Sequence, residues 1–210
     1  SKTGLPIATY FSISKIIWLL RNVDEVKEAK IENDLCFGTI DSWLIYKFTG
    51  TYVTDVTNAS RTLLMDLSTL QWLDEVLDAL DIPEESLPTI KPSMFNFGTN
   101  SEILKNVPIT AVLGDQQASL FGHNCVSSGD IKNTYGTGCF ALTNTGSQVV
   151  HSNNGLLSTV AFQRDGEDPQ YALEGSVSIA GAAVQWLRDN LNIIKSSSEV
   201  ESLAMSVKDN

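Results

Sequence analysis

Gly114-Asp115-Gln116-Gln117-Ala118 places a carboxylate and two carboxamides side by side, between apolar residues 109–113 and Ser119-Leu120-Phe121. A carboxylate can take a proton from an alcohol while neighbouring amides orient the hydroxyls. The apolar run before it reads as a buried strand, and a charge at the end of such a strand sits where open α/β sheets place their ligands. A carboxylate holds a hydroxyl proton only transiently. That suits chemistry in which positioning and charge neutralisation dominate, such as phosphoryl transfer to an alcohol. The same Asp115 could instead cap the helix that follows, and the pattern leaves both readings open.

Three other stretches carry chemistry-bearing types, each with a plainer structural reading. In Tyr135-Gly136-Thr137-Gly138 the glycines let the backbone approach a phosphate and the Thr hydroxyl can add a bond. A simple hairpin turn would look the same. Glu174-Gly175-Ser176 and Ala180-Gly181-Ala182-Ala183 keep a helix start small enough for a nucleotide or another backbone to come near, with Gln185 one turn after Gly181. Tyr10-Phe11-Ser12 offers aromatic edges to a polyol skeleton, or a core aromatic before the first helix. Two histidines and three cysteines, without a C-x-x-C pair, leave no paired-His metal motif and no His-based triad. Free thiols fit a reducing, cytoplasmic setting.

These residues need a scaffold, and the composition supplies one. With 42% hydrophobic and 19% charged residues in 210, the chain can build a globular core. A net charge of −11 argues against nonspecific nucleic-acid binding, and no run of residues is long and apolar enough for a membrane span. Periodicity predicts helices over 12–22, 23–30, 42–48, 70–80, 116–124, 176–191 and 199–207. It predicts strands over 37–40, 63–67, 109–113, 130–134, 140–145, 157–163 and 170–174. Residues 51–61 read as a polar loop and 87–106 as irregular. The result is a mixed α/β chain with a boundary near 124–126, giving units 1–124 and 125–210.

Residues 10–22, Phe37-Gly38-Thr39-Ile40-Asp41-Ser42-Trp43-Leu44 and Thr57-Asn58-Ala59-Ser60-Arg61-Thr62 resemble the FGGY family of sugar kinases, the family that includes glycerol kinase. Residues 114–118, 133–140 and 171–187 look like its glycerol-phosphorylating branch. The resemblance runs in order through nearly the whole chain. It implies a ribonuclease-H-like, actin/hexokinase-type two-domain kinase fold, incomplete here. Residues 1–124 would end the first, glycerol-binding domain, and 125–210 would begin the second, nucleotide-binding domain. The implied reaction is ATP-dependent phosphorylation of glycerol to sn-glycerol 3-phosphate, with Mg²⁺ as cofactor. By matching positions, Asp115 would be the base and, with Tyr10, Gln116 and Phe140, would bind glycerol. Gly136, Thr137, Gly181 and Gln185 would bind the nucleotide. No residue here is assigned to metal. The full-length protein is expected to be a cytoplasmic homo-oligomer.

The family's N-terminal phosphate loop, further glycerol ligands and C-terminal adenosine segment have no match here. The chain therefore reads as an internal portion of a longer kinase, inactive alone. Residues 100–108 lack the Gly and Arg of the loop that binds fructose 1,6-bisphosphate in bacterial relatives, so that inhibitor is expected not to act. Two other functions fit the same motifs: a kinase for another small polyol or dihydroxyacetone, and a non-catalytic actin-like nucleotide-binding module.

Overall fold

The computed structural model describes residues 2–99 and 106–208. The first half is mainly helical. Helix α1 (Ser12–Asn22) turns its apolar face, Ile13, Ile16 and Leu20, onto Leu64, Leu77, Ile82 and Leu87. Val23 is extended and separates it from α2 (Asp24–Ile31). Helix α3 (Ile40–Thr49) ends at Gly50, whose φ of 75° closes the helix in the left-handed region. Strand β1 (Val53–Asp55) runs straight into α4 (Val56–Ala59), and α5 (Asp74–Leu80) follows. Strand β2 (Thr89–Lys91) pairs parallel with β1, and β3 (Gly98–Thr99) pairs antiparallel with β4 (Pro108–Ile109). Residues 100–105, most of the expected inhibitor-insensitive loop, lie outside the described residues.

The second half is built on one antiparallel sheet. After α6 (Asp115–Gly122) come β5 (Ile131–Tyr135), β6 (Cys139–Gly146), β7 (Leu157–Phe162) and β8 (Gln170–Val177), in spatial order β5-β6-β8-β7. Helices α7 (Gly181–Asp189) and α8 (Glu199–Met205) end the described chain. The two halves share a core. Val160 of β7 and Tyr171 of β8 join Val56, Ala59, Met65 and Leu67 in one apolar cluster, and Tyr171 Oη donates to Leu67 O at 2.6 Å. Helix α6 packs Leu120 against Leu142, Ala161 and Phe162.

Several elements differ from the sequence expectations. Residues 51–61 are not a polar surface loop: Thr54, Asp55 and Thr57 are fully buried in β1 and α4. Their hydroxyl and carboxylate groups satisfy one another, which makes burial tolerable. Residues 37–40 and 63–67 form no strand; Leu63 sits at φ 68° in a turn, and only Met65 makes a single bridge, to Trp72. Residues 70–73 stay outside α5, with Leu70 at φ 56°. Of the apolar run 109–113 only Ile109 is in a strand; the rest has no regular secondary structure and is tied down by Val112 N donating to Ser93 O at 2.9 Å. Residues 176–177 continue β8, so the helix expected from 176 begins at Gly181.

Candidate active site

Asp115 opens helix α6, where that irregular segment meets it. Its side chain caps nothing: the capping position is Gly114, with no side-chain bond. Gly114 is fixed from beneath. Its N–H donates to Thr57 Oγ1 at 2.8 Å, and Thr57 Oγ1 donates in turn to Asp55 Oδ2 at 2.8 Å. Asp55 also accepts from Asn58 N, Asn58 Nδ2 and Ser93 Oγ. Burial pushes its carboxyl pKa up, and these hydrogen bonds oppose the shift. The buried Asp55 cluster thus anchors the exposed Asp115 through two intervening bonds.

Asp115 faces a hollow of about 360 Å³ lined by Tyr10, Ser12, Asn58, Arg61, Gln116, Phe140 and Glu174. The hollow brings together Tyr10, Asp115, Gln116 and Phe140, all four residues expected to hold the small polyol. Tyr10 is 72% exposed and stands edge-on to the buried Phe11, ring centroids 5.4 Å apart. Phe140 reaches the hollow from β6. Gln116 Nε2 donates to Asp115 Oδ2 at 3.2 Å. Gln117 plays a different part: it is buried and donates to Thr159 Oγ1 at 3.3 Å, tying α6 to β7.

Three charged groups in or beside the hollow had no role in the sequence reading. Glu174 of β8 is 4% exposed and accepts from Arg61 Nη2 at 3.0 Å, an ion pair across 113 residues of chain. The Arg61 guanidinium lies 5.7 Å from the Phe11 ring centroid. Its other terminal nitrogen, Nη1, is buried and has no hydrogen-bond partner among the described residues. Lys132 of β5 is 6% exposed and donates from Nζ to Gln116 Oε1 at 2.5 Å and to Thr134 Oγ1 at 2.9 Å. Burial pulls its ammonium pKa down, while the negative charges of Glu174 and Asp115 hold it up.

The second group lies elsewhere. Gly136, Thr137, Gly181 and Gln185 line a separate, open hollow of about 520 Å³ with Val184, Ser197, Val200 and Glu201. The turn 136–138 and the start of α7 are stitched together by backbone: Ala180 N donates to Thr137 O at 2.8 Å and Gly181 N to Gly136 O at 3.0 Å. A side chain at Gly181 would put its Cβ 2.5 Å from Gly136 O, and one at Gly138 would put it 2.6 Å from Val177 O. Both glycines are needed for this close approach. Asp115 and Thr137 therefore line two hollows, joined through one hairpin: β6 carries Phe140 at the first, β5 reaches that hollow's Gln116 through Lys132, and their turn carries Thr137 at the second.

Residues 1–122 match the N-terminal domain of the FGGY family of carbohydrate kinases, and residues 131–209 match that family's C-terminal domain. The chain belongs to the FGGY family of carbohydrate kinases. It is 52% identical to the glycerol kinase of Renibacterium salmoninarum and 55% identical to that of Brucella anthropi, with 100% of this chain and 43% of each relative covered. A crystal structure of Plasmodium falciparum glycerol kinase with ADP superposes with a TM-score of 0.90 at 42% identity, covering 99% of this chain and 42% of that one. A ligand-bound xylulose kinase from Lactobacillus acidophilus gives 0.81 at 26% identity, covering 98% of this chain and 42% of that one. The fold is thus the ribonuclease-H-like one of FGGY kinases. This FGGY chain spans about 43% of the length of the curated relatives it matches. Among the described residues no helix is long and apolar enough to cross a membrane, and no group of three His, Cys, Asp or Glu side chains could hold a metal ion.

Proposed function

We propose that a longer kinase containing this chain transfers the γ-phosphoryl of ATP to a terminal hydroxyl of glycerol, giving sn-glycerol 3-phosphate and ADP. The observation that carries this reading is the hollow where Asp115, Gln116, Tyr10 and Phe140 meet: a base, an amide and two aromatic walls around a space with room for a small polyol. Asp115 would accept the hydroxyl proton as the oxygen attacks the γ-phosphorus and ADP departs. Gln116 would hold a second hydroxyl, and the rings would pack on the carbon skeleton. Glycerol is small, so fixed bonds must orient it where remote binding energy cannot. Gly136, Thr137, Gly181 and Gln185 would meet the nucleotide in the second hollow. Mg²⁺ needs only one or two carboxylates when phosphates supply its other ligands. In this reading the ion would be carried on ATP, whose charge it would neutralise. The domain division at 124–125, cytoplasmic residence and assembly into a homo-oligomer belong to the same reading.

The test is a coupled assay of ADP release by the full-length protein with glycerol, dihydroxyacetone, xylulose and gluconate. Glycerol is expected to give the highest kcat/KM, and a preference for another acceptor would overturn the substrate assignment. ADP release by the 210-residue chain alone is expected to be undetectable. A second prediction concerns the nucleotide. In Gly181→Ala the new methyl meets backbone oxygen, so α7 must shift from the turn. The KM for ATP is expected to rise roughly tenfold, the loss of about 1.4 kcal/mol of binding, while the KM for glycerol stays within twofold. Equal changes in both constants would show that the two hollows are not separate sites.

A further inference from the structure

Lys132 is a buried ammonium group with no direct ion pair among the described residues. An apolar side chain would serve stability at such a position as well or better. Its two hydrogen bonds instead go to Thr134, its neighbour on the same face of β5, and to Gln116 at the edge of the hollow.

That second bond has a chemical consequence. The oxygen and nitrogen of a carboxamide have the same shape, and only their partners decide which way the group points. A lysine ammonium has donors and no lone pair, so only the amide oxygen can face it. Gln116 Oε1 is therefore turned to Lys132, and Nε2 is turned to Asp115 and the hollow. We infer that Lys132 is a positioning residue that fixes the Gln116 carboxamide so that it offers only N–H groups to the acceptor. Asp115 offers only lone pairs. The two side chains then read a bound polyol in one sense: Gln116 donates to a hydroxyl oxygen, and Asp115 takes a hydroxyl proton. Without Lys132 only the 3.2 Å bond to Asp115 would still hold the carboxamide, and Gln116 could swing away from the hollow and withdraw its N–H donors from the substrate oxygen.

The inference rests on the polyol-kinase reading, and its test separates the two. In the full-length kinase, Lys132→Met keeps the alkyl stem and removes the donor. The KM for glycerol is expected to rise about tenfold, as for loss of a well-placed hydrogen bond, with the KM for ATP within twofold. Lys132→Gln, which can still donate to Gln116 Oε1, is expected to recover part of the loss, and it carries the same measurements if the Met variant fails to fold. The deciding readout is a double-mutant cycle: in a Gln116→Ala background Lys132→Met should add less than a twofold effect. A full-sized effect in that background, or parallel rises in both KM values, overturns the inference. If the unsubstituted enzyme prefers another polyol, the glycerol assignment falls and the same cycle on that polyol decides the role of Lys132. A crystal structure of Lys132→Met, read without any activity, should show the Gln116 carboxamide turned away from its present contacts; an unmoved side chain overturns the inference.

Discussion

Asp115→Asn in the full-length kinase is expected to lower kcat by roughly 10²–10⁴-fold, the usual contribution of a positioned general base. Asparagine keeps the size and one acceptor oxygen of the side chain, so Gly114, α6 and the buried Asp55 cluster beneath it should be undisturbed. The KM for glycerol should change by a few-fold at most, since Gln116, Tyr10 and Phe140 remain in the hollow. Nucleotide affinity, measured by calorimetry, should be unchanged because the second hollow does not include Asp115. This pattern also separates an enzyme from an actin-like nucleotide-binding module, whose nucleotide turnover would be indifferent to the substitution. A variant with more than a third of the original kcat would remove Asp115 from the chemistry.

Among substitutions of Arg61, Lys132 and Glu174, Glu174→Ala is expected to be the most damaging to stability. It strips Arg61 of its only ion-pair partner among the described residues and Lys132 of a nearby counter-charge. Removing one member of a buried pair leaves the other charge uncompensated, at about 3–5 kcal/mol. Arg61 keeps some access to water, with 22% of its side chain exposed, so the expected loss is near the lower end, about 3 kcal/mol. Glu174→Gln keeps an acceptor for Arg61 Nη2 and should cost less. Urea unfolding of the full-length protein, followed at the transition that includes this sheet, reads the difference. A loss below about 1 kcal/mol would place the pair among surface-like contacts that contribute little.

The parts of this chain that were legible in the sequence are those where local pattern and tertiary demand agree. Helix α1 runs over 12–22 as its apolar spacing requires, and the β7–β8 pair follows from alternation and the turn residues between. The four residues proposed to face the polyol and the four proposed to face the nucleotide line two hollows, and family motifs, rather than periodicity, had grouped them. The misses have physical causes. Residues 53–59 looked solvent-exposed because they are rich in Thr, Asp and Asn, yet they form a buried, internally bonded element. Leu63 and Leu70 broke the patterns predicted around them by adopting positive φ, which aliphatic residues rarely signal. Lys132 was overlooked because β5 is inverted: Ile131 and Tyr135 are exposed, at 62% and 80%, while Lys132 and Thr134 turn inward.

The β5–β6 hairpin has only three residues, Gly136, Thr137 and Gly138, between paired Tyr135 and Cys139. One leg lines one hollow through Phe140 and the tip lines the other, so the loop works as a ruler whose length sets the gap between them. Gly138 is pressed against Val177 O and Gly181 against Gly136 O, which leaves no slack to absorb an added residue. Substitutions elsewhere can reshape one hollow at a time, but a change in the ruler's length would displace both at once.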